Sequence, residues 1–336
     1  MQDRRNFLNV FRHPPSNIEG QWLHVSRAAM ACRFEVTVPV WHQAAVQTAR
    51  KALDEVDRLE QQLSVFREES EISYLNRNAA NASVTLESSL FQLLCECHQL
   101  WVQTEGAFDI TAGPLTRCWG FLRREGKLPH PDELKRAKEV VGSDRLLFDP
   151  EARSVRFKST GVEINLGSIG KGYALDRVTA SITSQLPTAL LNAGASSMRA
   201  IGGGELGGRG WPVGLRHPRN KNRRLARLRI RNCALSTSGS EEQFFEHGGK
   251  RYGHIIDPRT GWPAGTVTSV TVVAQSAAIS DALATAFYVG GRELAERYCC
   301  NHPNVLAIML ETDSETPVVI GANRGCVVEQ CVKEEG

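Results

Sequence analysis

The sequence contains no long hydrophobic run and no cysteine framework. No stretch reaches the roughly 18 consecutive apolar residues of a transmembrane helix. Its nine cysteines are odd in number, and none are spaced like the ligands of a zinc ribbon. We therefore expect no membrane span, and reduced thiols rather than a disulfide-stabilised secreted fold.

The sequence also lacks a strong net charge and a fixed-period repeat. A formal charge of +3 over 336 residues does not by itself favour nucleic-acid binding. Residues 216–231 hold eight basic residues and no acid, but Arg227 and Arg229 alternate with apolar residues and no aromatics are interleaved. We interpret this segment as a basic loop followed by a strand with one solvated face, and predict no nucleic-acid partner.

The N-terminus lacks the apolar segment of an export signal. Residues 3–8, DRRNFL, resemble the twin-arginine motif, but Arg12, His13 and two prolines follow where an apolar stretch of at least about seven residues should run. We therefore predict that the protein is cytoplasmic and that residues 1–20 form a flexible lead-in. Residues 21–330 are expected to form one domain or two closely packed subdomains.

Hydrophobic periodicity, by contrast, is plentiful. Apolar residues recur at helical spacing in 49–63 and 90–101, and another helix is predicted at 171–186. Strand patterns occupy 34–40, parts of 139–165, 190–191, 225–238, 267–274, 305–310, 318–320 and 326–332. Because helices and strands are interspersed without a regular βαβ period, the sequence predicts an α+β fold of mixed sheets with packed helices.

A carboxylate and a hydroxyl lie four residues apart in SDALATAFYVGG, residues 280–291. On a helix capped by Ser280, Asp281 in the first turn and Thr285 would share one face. Mg²⁺ favours a few protein oxygens completed by water and phosphate, and this pair supplies such oxygens. The alternative is structural: Asp281 would interact with the helix dipole, and Thr285 would bond back to the helix backbone.

His254 lies next to a turn rich in proline and glycine, in GHIIDPRTGWP at residues 253–263. An imidazole titrates near neutrality, so His254 is a candidate general base. A structural role, the usual one for a lone histidine, is the alternative. Asp257 is predicted to accept hydrogen bonds within the turn.

Three glycine-containing segments complete the candidate site. NLGSIGKG at residues 165–172 lies at a predicted strand-to-helix junction, where backbone N–H groups and Lys171 can hold anionic oxygen. Its glycine spacing is not that of a Walker A loop. NAGASS at 192–197 is a second bend, and GAFDITAGP at 106–114 combines an aromatic with an acid, which suits either a heteroaromatic ligand or a core corner.

Taken in order, these segments resemble the ApbE-like FAD:protein FMN transferase family over residues 22–325. The resemblance rests on eight motifs in the order of the family: MACRF at 30–34, SVF at 64–66 with SEI at 70–72 and Asn76, GAFDITAGPL at 106–115, INLGSIGKGYALD at 164–176, LNAGASS at 191–197, STSGSEEQFF at 236–245, GHIIDPRTGWP and SDALATAFYVGG. It implies an ApbE-like fold and transfer of the FMN half of FAD, with Mg²⁺, to a threonine or serine hydroxyl of a target flavoprotein, releasing AMP.

The resemblance also implies roles for individual residues. It implies a role in proton removal for His254 and metal binding by Asp281, Thr285 and Ser168, the last through its carbonyl oxygen. The residues that match flavin-nucleotide contacts are Met30, Phe66, Ala107, Phe108, Asp109, Asn165, Lys171, Ile255 and Ile256. Such an allocation suits phosphoryl transfer, which depends on positioning and on neutralising the charge of the pyrophosphate.

The sequence departs from the family pattern in several places. The usual Met-Gly-Thr is MAC at residues 30–32, and the usual Asn-Ala-Gly-Gly-Asp is NAGAS at residues 192–196. Two of the departures replace acids. Asn165 and Ser196 stand where the family usually has acids. Asn165 can still hydrogen-bond a ligand, but it brings no charge to a metal. This leaves two alternatives to the transferase: an FAD-binding maturation or accessory protein without the chemistry, and an FAD pyrophosphatase in which water replaces the acceptor hydroxyl and the products are FMN and AMP.

Overall fold

The computed structural model describes residues 22–40, 44–204, 208–220, 222–239 and 243–331, together with the backbone of Leu8–Asn9. The predicted flexible lead-in, residues 1–20, lies outside these ranges apart from that pair. The helices of the described residues are α1 Ala45–Leu63, α2 Glu71–Asn78, α3 Ser88–Gln103, α4 Gly113–Cys118, α5 Pro131–Glu139, α6 Gly170–Ile182 and α7 Ala277–Asn301, with short 3-10 turns at Phe121–Arg123 and Ser143–Arg145.

The strands are interspersed with these helices along the chain. They are β1 Leu8–Asn9, β2 Trp22–Ala29, β3 Cys32–Pro39, β4 Val84–Thr85, β5 Leu146–Asp149, β6 Ser154–Phe157, β7 Ala189–Ala193, β8 Ser197–Ile201, β9 Trp211–Arg216, β10 Arg224–Ile230, β11 Ala234–Gly239, β12 Phe244–His247, β13 Lys250–Gly253, β14 Val267–Ala274, β15 Leu306–Glu311, β16 Val318–Gly321 and β17 Cys326–Cys331. Each helix and strand segment predicted from periodicity has a counterpart here, and the predicted α+β class is confirmed.

An eight-stranded antiparallel sheet lies between a helical layer and a second sheet. Its strand order is β16-β15-β14-β11-β8-β7-β3-β2, and a four-stranded sheet has the order β1-β9-β10-β17. Successive side chains of a strand point to opposite faces. Leu191 and Val272 accordingly belong to the core shared with α1, α6 and α7, while their neighbours Leu190 and Val273 belong to the core shared with the smaller sheet. Both faces of the large sheet are therefore buried.

The basic segment at residues 216–231 contains the predicted strand with one solvated face, but the predicted extent of that strand is wrong. In β10, Arg227 is exposed while Leu228 and Ile230 are buried. The predicted strand at 225–238, however, is two strands in different sheets, β10 and β11, because the chain turns at Asn232 with a φ of 52°. Apolar alternation continues through such a turn and does not reveal it.

Within the described ranges, no helix combines the length and the apolar character needed to cross a bilayer. The cytoplasmic location stays a prediction.

All nine cysteines are free thiols, and burial raises the pKa of the Cys97 thiol well above its usual value. A thiol in this environment is a poor nucleophile.

Helices α6 and α7 approach each other closely at their N-termini. A Cβ on Gly172 would lie 2.1 Å from the carbonyl oxygen of Ala277, so only glycine fits there. The Asp176 carboxylate, on α6, accepts hydrogen bonds from the N–H groups of Ala277 and Ala278, each at 2.9 Å, and from the Ser276 hydroxyl at 2.6 Å. These contacts fix the start of α7 against the start of α6, where the candidate site lies.

We expect Gly172→Ala to destabilise the fold by about 2 kcal/mol or more, because the added methyl would collide with backbone rather than with a mobile side chain. Gly170→Ala is the matched control, since a Cβ there meets only Leu166, at 3.9 Å. The measurement is urea unfolding of both variants beside the wild type. Equal stabilities of the two variants would contradict the close approach of the helices.

Candidate functional site

Asp281 lies on α7 with its carboxylate buried against the start of α6 and is only 5% exposed. Its Oδ2 accepts the backbone N–H of Gly172 at 3.2 Å and lies 3.5 Å from Lys171 Nζ. Its Oδ1 accepts the Ser197 hydroxyl at 3.3 Å. The positive end of α6 and an ammonium group thus both contact Oδ2 of this carboxylate.

The predicted Ser280 cap is wrong. Helix α7 begins at Ala277, and its cap is Ser276, whose hydroxyl accepts the N–H of Ile279. Ser280 instead faces the sheet, 3.0 Å from the Ser236 hydroxyl. Because α7 begins at Ala277, Asp281 lies beyond the first turn of its own helix. Asp176 and Ser276 satisfy the first N–H groups of α7, and Asp281 instead contacts the N-terminus of α6.

Thr285 shares the face of Asp281, as the spacing predicted. Its Oγ1 lies 3.4 Å from the Asp281 carbonyl oxygen and 3.4 Å from the Ser238 hydroxyl. Both contacts are long, so the hydroxyl is weakly engaged by the protein. Ser238 and Ser236 alternate along β11, and Ser236 pairs in register with Ser197 of β8, so serine hydroxyls line the sheet beneath this face. Sequence reasoning assigned no role to these serines, although their period of two was visible.

The loop before α6 is shaped by side-chain amides. Asn165 Oδ1 accepts the N–H of Gly167 at 2.9 Å, which closes a local turn. Asn76 exchanges two hydrogen bonds with the backbone of Ile164, at 2.9 and 2.8 Å. Lys171 Nζ donates to the Gly167 carbonyl oxygen at 3.4 Å. Residue 165 therefore organises the loop that contains Ser168, a task in which an amide oxygen can replace a carboxylate.

His254 lies partly buried at the end of β13, with Phe121 packed edge-on at a ring distance of 6.5 Å. Its Nδ1 lies 3.1 Å from the carbonyl oxygen of Gln243. Since a carbonyl only accepts, Nδ1 carries the proton, and the neutral ring keeps its lone pair on Nε2. Burial lowers the pKa of His254, and the charge of Lys171 lowers it further. The imidazole is thus held neutral at physiological pH, in the tautomer a base needs.

An aromatic cluster that the sequence did not reveal supports the turn after His254. Trp119 donates from Nε1 to the Gly261 carbonyl oxygen at 2.9 Å and packs edge-on against Trp262. As predicted, the Asp257 carboxylate accepts hydrogen bonds within the turn, from the N–H and side chain of Arg259. Of the two predicted isoleucines, Ile256 is buried in this cluster and Ile255 is partly exposed.

Three predicted nucleotide contacts have their side chains in the core. Ala107 and Phe108 are each 1% exposed. The Asp109 carboxylate accepts hydrogen bonds from the N–H and hydroxyl groups of both Thr111 and Ser143, and burial raises its pKa. The segment therefore has the packing of a core corner, and its role as a nucleotide contact stays a prediction. The segment still adjoins the site, because Ile110 accepts the N–H of Asn165 at 2.7 Å.

Met30 and Phe66 have more accessible positions. Met30 and Ala31 form the two-residue turn between β2 and β3, with φ values of 49° and 57°, and Glu60 accepts the N–H of Met30 at 3.0 Å. Phe66, between α1 and α2, is 73% exposed. A left-handed turn at non-glycine residues and a largely exposed aromatic ring are both unusual, and in proteins such features are often found at functional sites. The roles of Met30 and Phe66 as nucleotide contacts stay predictions.

The sequence model of the ApbE family matches residues 30–310. The chain belongs to the ApbE family. It is 31% identical over 317 residues to the FAD:protein FMN transferase of Treponema pallidum, covering 88% of this chain and 87% of that protein. It is 27% identical over 279 residues to the FAD:protein FMN transferase of Haemophilus influenzae, covering 80% of each. The crystal structure of the ApbE protein of Thermotoga maritima, 29% identical, matches with a TM-score of 0.80 over 90% of this chain and 97% of that one.

Membership of the ApbE family confirms the predicted family, the predicted α+β fold and the prediction that the chain is an enzyme. The family match spans His254, Lys171, Asp281 and Thr285 together with the loop around Asn165. The roles of these residues stay predictions.

The oxygen donors of this ApbE-family site suit a hard cation that keeps water and phosphate ligands. Among the described residues, no group of three or more His, Cys, Asp or Glu side chains could hold a metal, which excludes a cage of such ligands in that part of the chain. The Asp281 carboxylate and the weakly engaged Thr285 hydroxyl supply oxygens of the kind Mg²⁺ uses. That these two groups and the Ser168 carbonyl oxygen bind a metal stays a prediction. The Lys171 ammonium already lies between two oxygens there, so the position attracts positive charge.

Proposed function

We propose that this protein transfers the FMN moiety of FAD to a threonine or serine hydroxyl of a target flavoprotein, in a Mg²⁺-dependent reaction that releases AMP. The main support is the convergence of the Asp281 carboxylate, the Lys171 ammonium and the start of α6 in one place. Flavin transfer is also the activity for which the relatives named FAD:protein FMN transferase are named, and the chain belongs to the same family.

In the proposed reaction, the acceptor oxygen attacks the phosphorus of the FMN half of FAD. A new oxygen–phosphorus bond forms, and the bond from that phosphorus to the bridging oxygen breaks, so that AMP leaves with the bridging oxygen. The hydroxyl proton must go to a base. His254 Nε2 suits this role, because the Nδ1 contact with Gln243 leaves Nε2 unprotonated in the neutral ring.

Lys171 and the cation share the task of neutralising the diphosphate. Lys171 brings a positive charge at the N-terminus of α6, where a phosphate group is favoured. Asp281, Thr285 and the Ser168 carbonyl oxygen would hold Mg²⁺. When bound, Mg²⁺ supplies charge neutralisation and orientation of the diphosphate oxygens.

The residue at position 165 is the reason for testing the accessory-protein alternative as well. Asn165 replaces a family acid, and its side chain is engaged with Gly167 in a turn. An amide here adds no negative charge for a cation. A protein with this change could bind FAD without turning it over, and a site open to water could hydrolyse FAD instead.

The deciding experiment incubates the purified protein with FAD, MgCl₂ and a candidate acceptor flavoprotein, beside the same acceptor with its threonine replaced by alanine. We expect covalent flavin on the first acceptor only, seen by in-gel flavin fluorescence and intact-protein mass, with release of AMP. Free FMN and AMP, with no covalent flavin on either acceptor, would identify a pyrophosphatase. Bound but intact FAD with every acceptor would identify a binding protein, and either result would reject the transferase.

A further inference from the structure

Lys171 forms an internal ion pair within the site instead of extending into solvent. Its side chain is only 25% exposed, and its Nζ lies 3.5 Å from Asp281 Oδ2 and 3.4 Å from the Gly167 carbonyl oxygen. A lysine ordinarily keeps its ammonium group hydrated. Here the ammonium lies between a buried carboxylate and a backbone carbonyl, which is a cation's environment.

The same carboxylate is the proposed ligand of the divalent cation. Asp281 Oδ2 already accepts the Gly172 N–H, and Oδ1 accepts the Ser197 hydroxyl. A divalent cation on this carboxylate would lie close to the Lys171 ammonium, and in a partly buried site the repulsion between the two is weakly screened. Either the cation or the ammonium can occupy the carboxylate, but both together are disfavoured.

We infer that Lys171 is an internal counter-ion that competes with the divalent cation for Asp281 and gives way when a diphosphate binds. The inference rests on the proposed function, because it takes the diphosphate of FAD as the new partner of the lysine. Lys171 lies in the first turn of α6, so a phosphate at that N-terminus is within reach of the ammonium without unfolding of the helix.

This arrangement couples the two ligands. Diphosphate binding draws the ammonium away and frees the carboxylate, so it strengthens metal binding, and by thermodynamic reciprocity the metal strengthens diphosphate binding by the same factor. Couplings of this kind usually amount to about 5- to 150-fold in affinity. In the absence of nucleotide, the lysine keeps the buried carboxylate paired and its affinity for free cations low.

The effect of Lys171→Met on Mn²⁺ affinity distinguishes the counter-ion role from the other roles that this lysine could have. As an internal competitor, the lysine weakens the binding of a cation alone, so Lys171→Met should bind Mn²⁺ about tenfold more tightly than the wild type. A lysine that only contacts phosphate would leave the affinity for Mn²⁺ alone unchanged. A lysine that only supports the fold would, when removed, weaken Mn²⁺ and FAD binding together.

The test titrates Mn²⁺ alone, followed by the electron paramagnetic resonance signal of the free ion, into wild type, Lys171→Met, Asp281→Asn, the double variant and Lys158→Met. Lys158 is an exposed lysine outside the site and serves as the matched control. We expect tighter binding in Lys171→Met, lost again in the double variant, and no change in Lys158→Met. FAD titrations by flavin fluorescence, with and without Mn²⁺, should show a synergy that is larger in the wild type than in Lys171→Met, where only the direct attraction between cation and diphosphate remains.

Unchanged or weaker binding of Mn²⁺ by Lys171→Met would overturn the inference, as would wild-type Mn²⁺ binding that survives Asp281→Asn. These results are separate from the fate of the proposed function. Covalent flavin transfer by the wild type together with unchanged Mn²⁺ affinity in Lys171→Met would reject the counter-ion alone. Tighter Mn²⁺ binding in Lys171→Met, together with no flavin transfer by the wild type, would support the counter-ion and reject the transferase.

Discussion

Asp281→Asn is expected to reduce flavin transfer by about 1,000-fold while the protein stays folded. The amide keeps the size of the carboxylate but carries no charge for the cation. It also removes the partner of Lys171 and weakens the contact with the Gly172 N–H, both at Oδ2. The hydrogen bond from the Ser197 hydroxyl can persist through the amide oxygen, so the contact between α7 and strand β8 is retained.

The measurement is the initial rate of covalent flavin attachment at saturating Mg²⁺, with far-UV circular dichroism and thermal unfolding as checks on the fold. Asp313→Asn, a change of the same kind at an exposed carboxylate outside the site, should transfer flavin at the wild-type rate. A folded Asp281→Asn variant with near wild-type turnover would remove Asp281 from the metal site.

His254→Gln is expected to lower the maximal rate of flavin transfer by about 100-fold or more, because general bases contribute about 10²- to 10⁴-fold. Glutamine can keep the donor contact to the Gln243 carbonyl oxygen, but it cannot take up a proton. The variant therefore separates the base from the structural role that the sequence left open. A rate equal to that of the wild type in a folded variant would return His254 to the structural alternative.

The pH profile gives a second readout of the same group. Burial lowers the pKa of His254 below the ordinary 6.5, and Lys171 contributes in the same direction. A base acts in its neutral form, so wild-type activity should be level above pH 6.5 and fall only as pH drops through the lowered pKa. His254→Gln should lose this acid limb. An acid limb of the same midpoint in the variant would assign the titration to another group.

Local sequence patterns were sufficient for most of the elements. Helices α1 and α3 follow directly from apolar spacing, since each buries one stripe. Strands β3 and β14 follow from short stretches rich in β-branched and apolar residues, and β14 is buried on both faces. The errors are at boundaries. The break at Asn232 and the cap at Ser276 were missed, because neither interrupts the apolar pattern.

The residues of the candidate site were found more readily than their surroundings. Asp281 and Thr285 could be paired from their spacing, and Asn165 could be identified as a departure from the family pattern. The Ser197 contact spans 84 residues, and the link between Trp119 and Gly261 spans 142. No local pattern predicts such contacts, because they depend on how sheets and helices pack. Phe108 and Asp109 were identified by residue type, but the sequence did not reveal that both side chains are buried.

The sequence by itself determined the α+β class, the family and the residue types that the proposed chemistry needs, because periodicity and motif order are properties of the chain alone. Only the tertiary structure decided how the charges combine. The close approach of α6 and α7 at Gly172 puts the Lys171 ammonium and the Asp281 carboxylate together in a buried setting. Electrostatic interactions depend on distance and burial, and folding sets both.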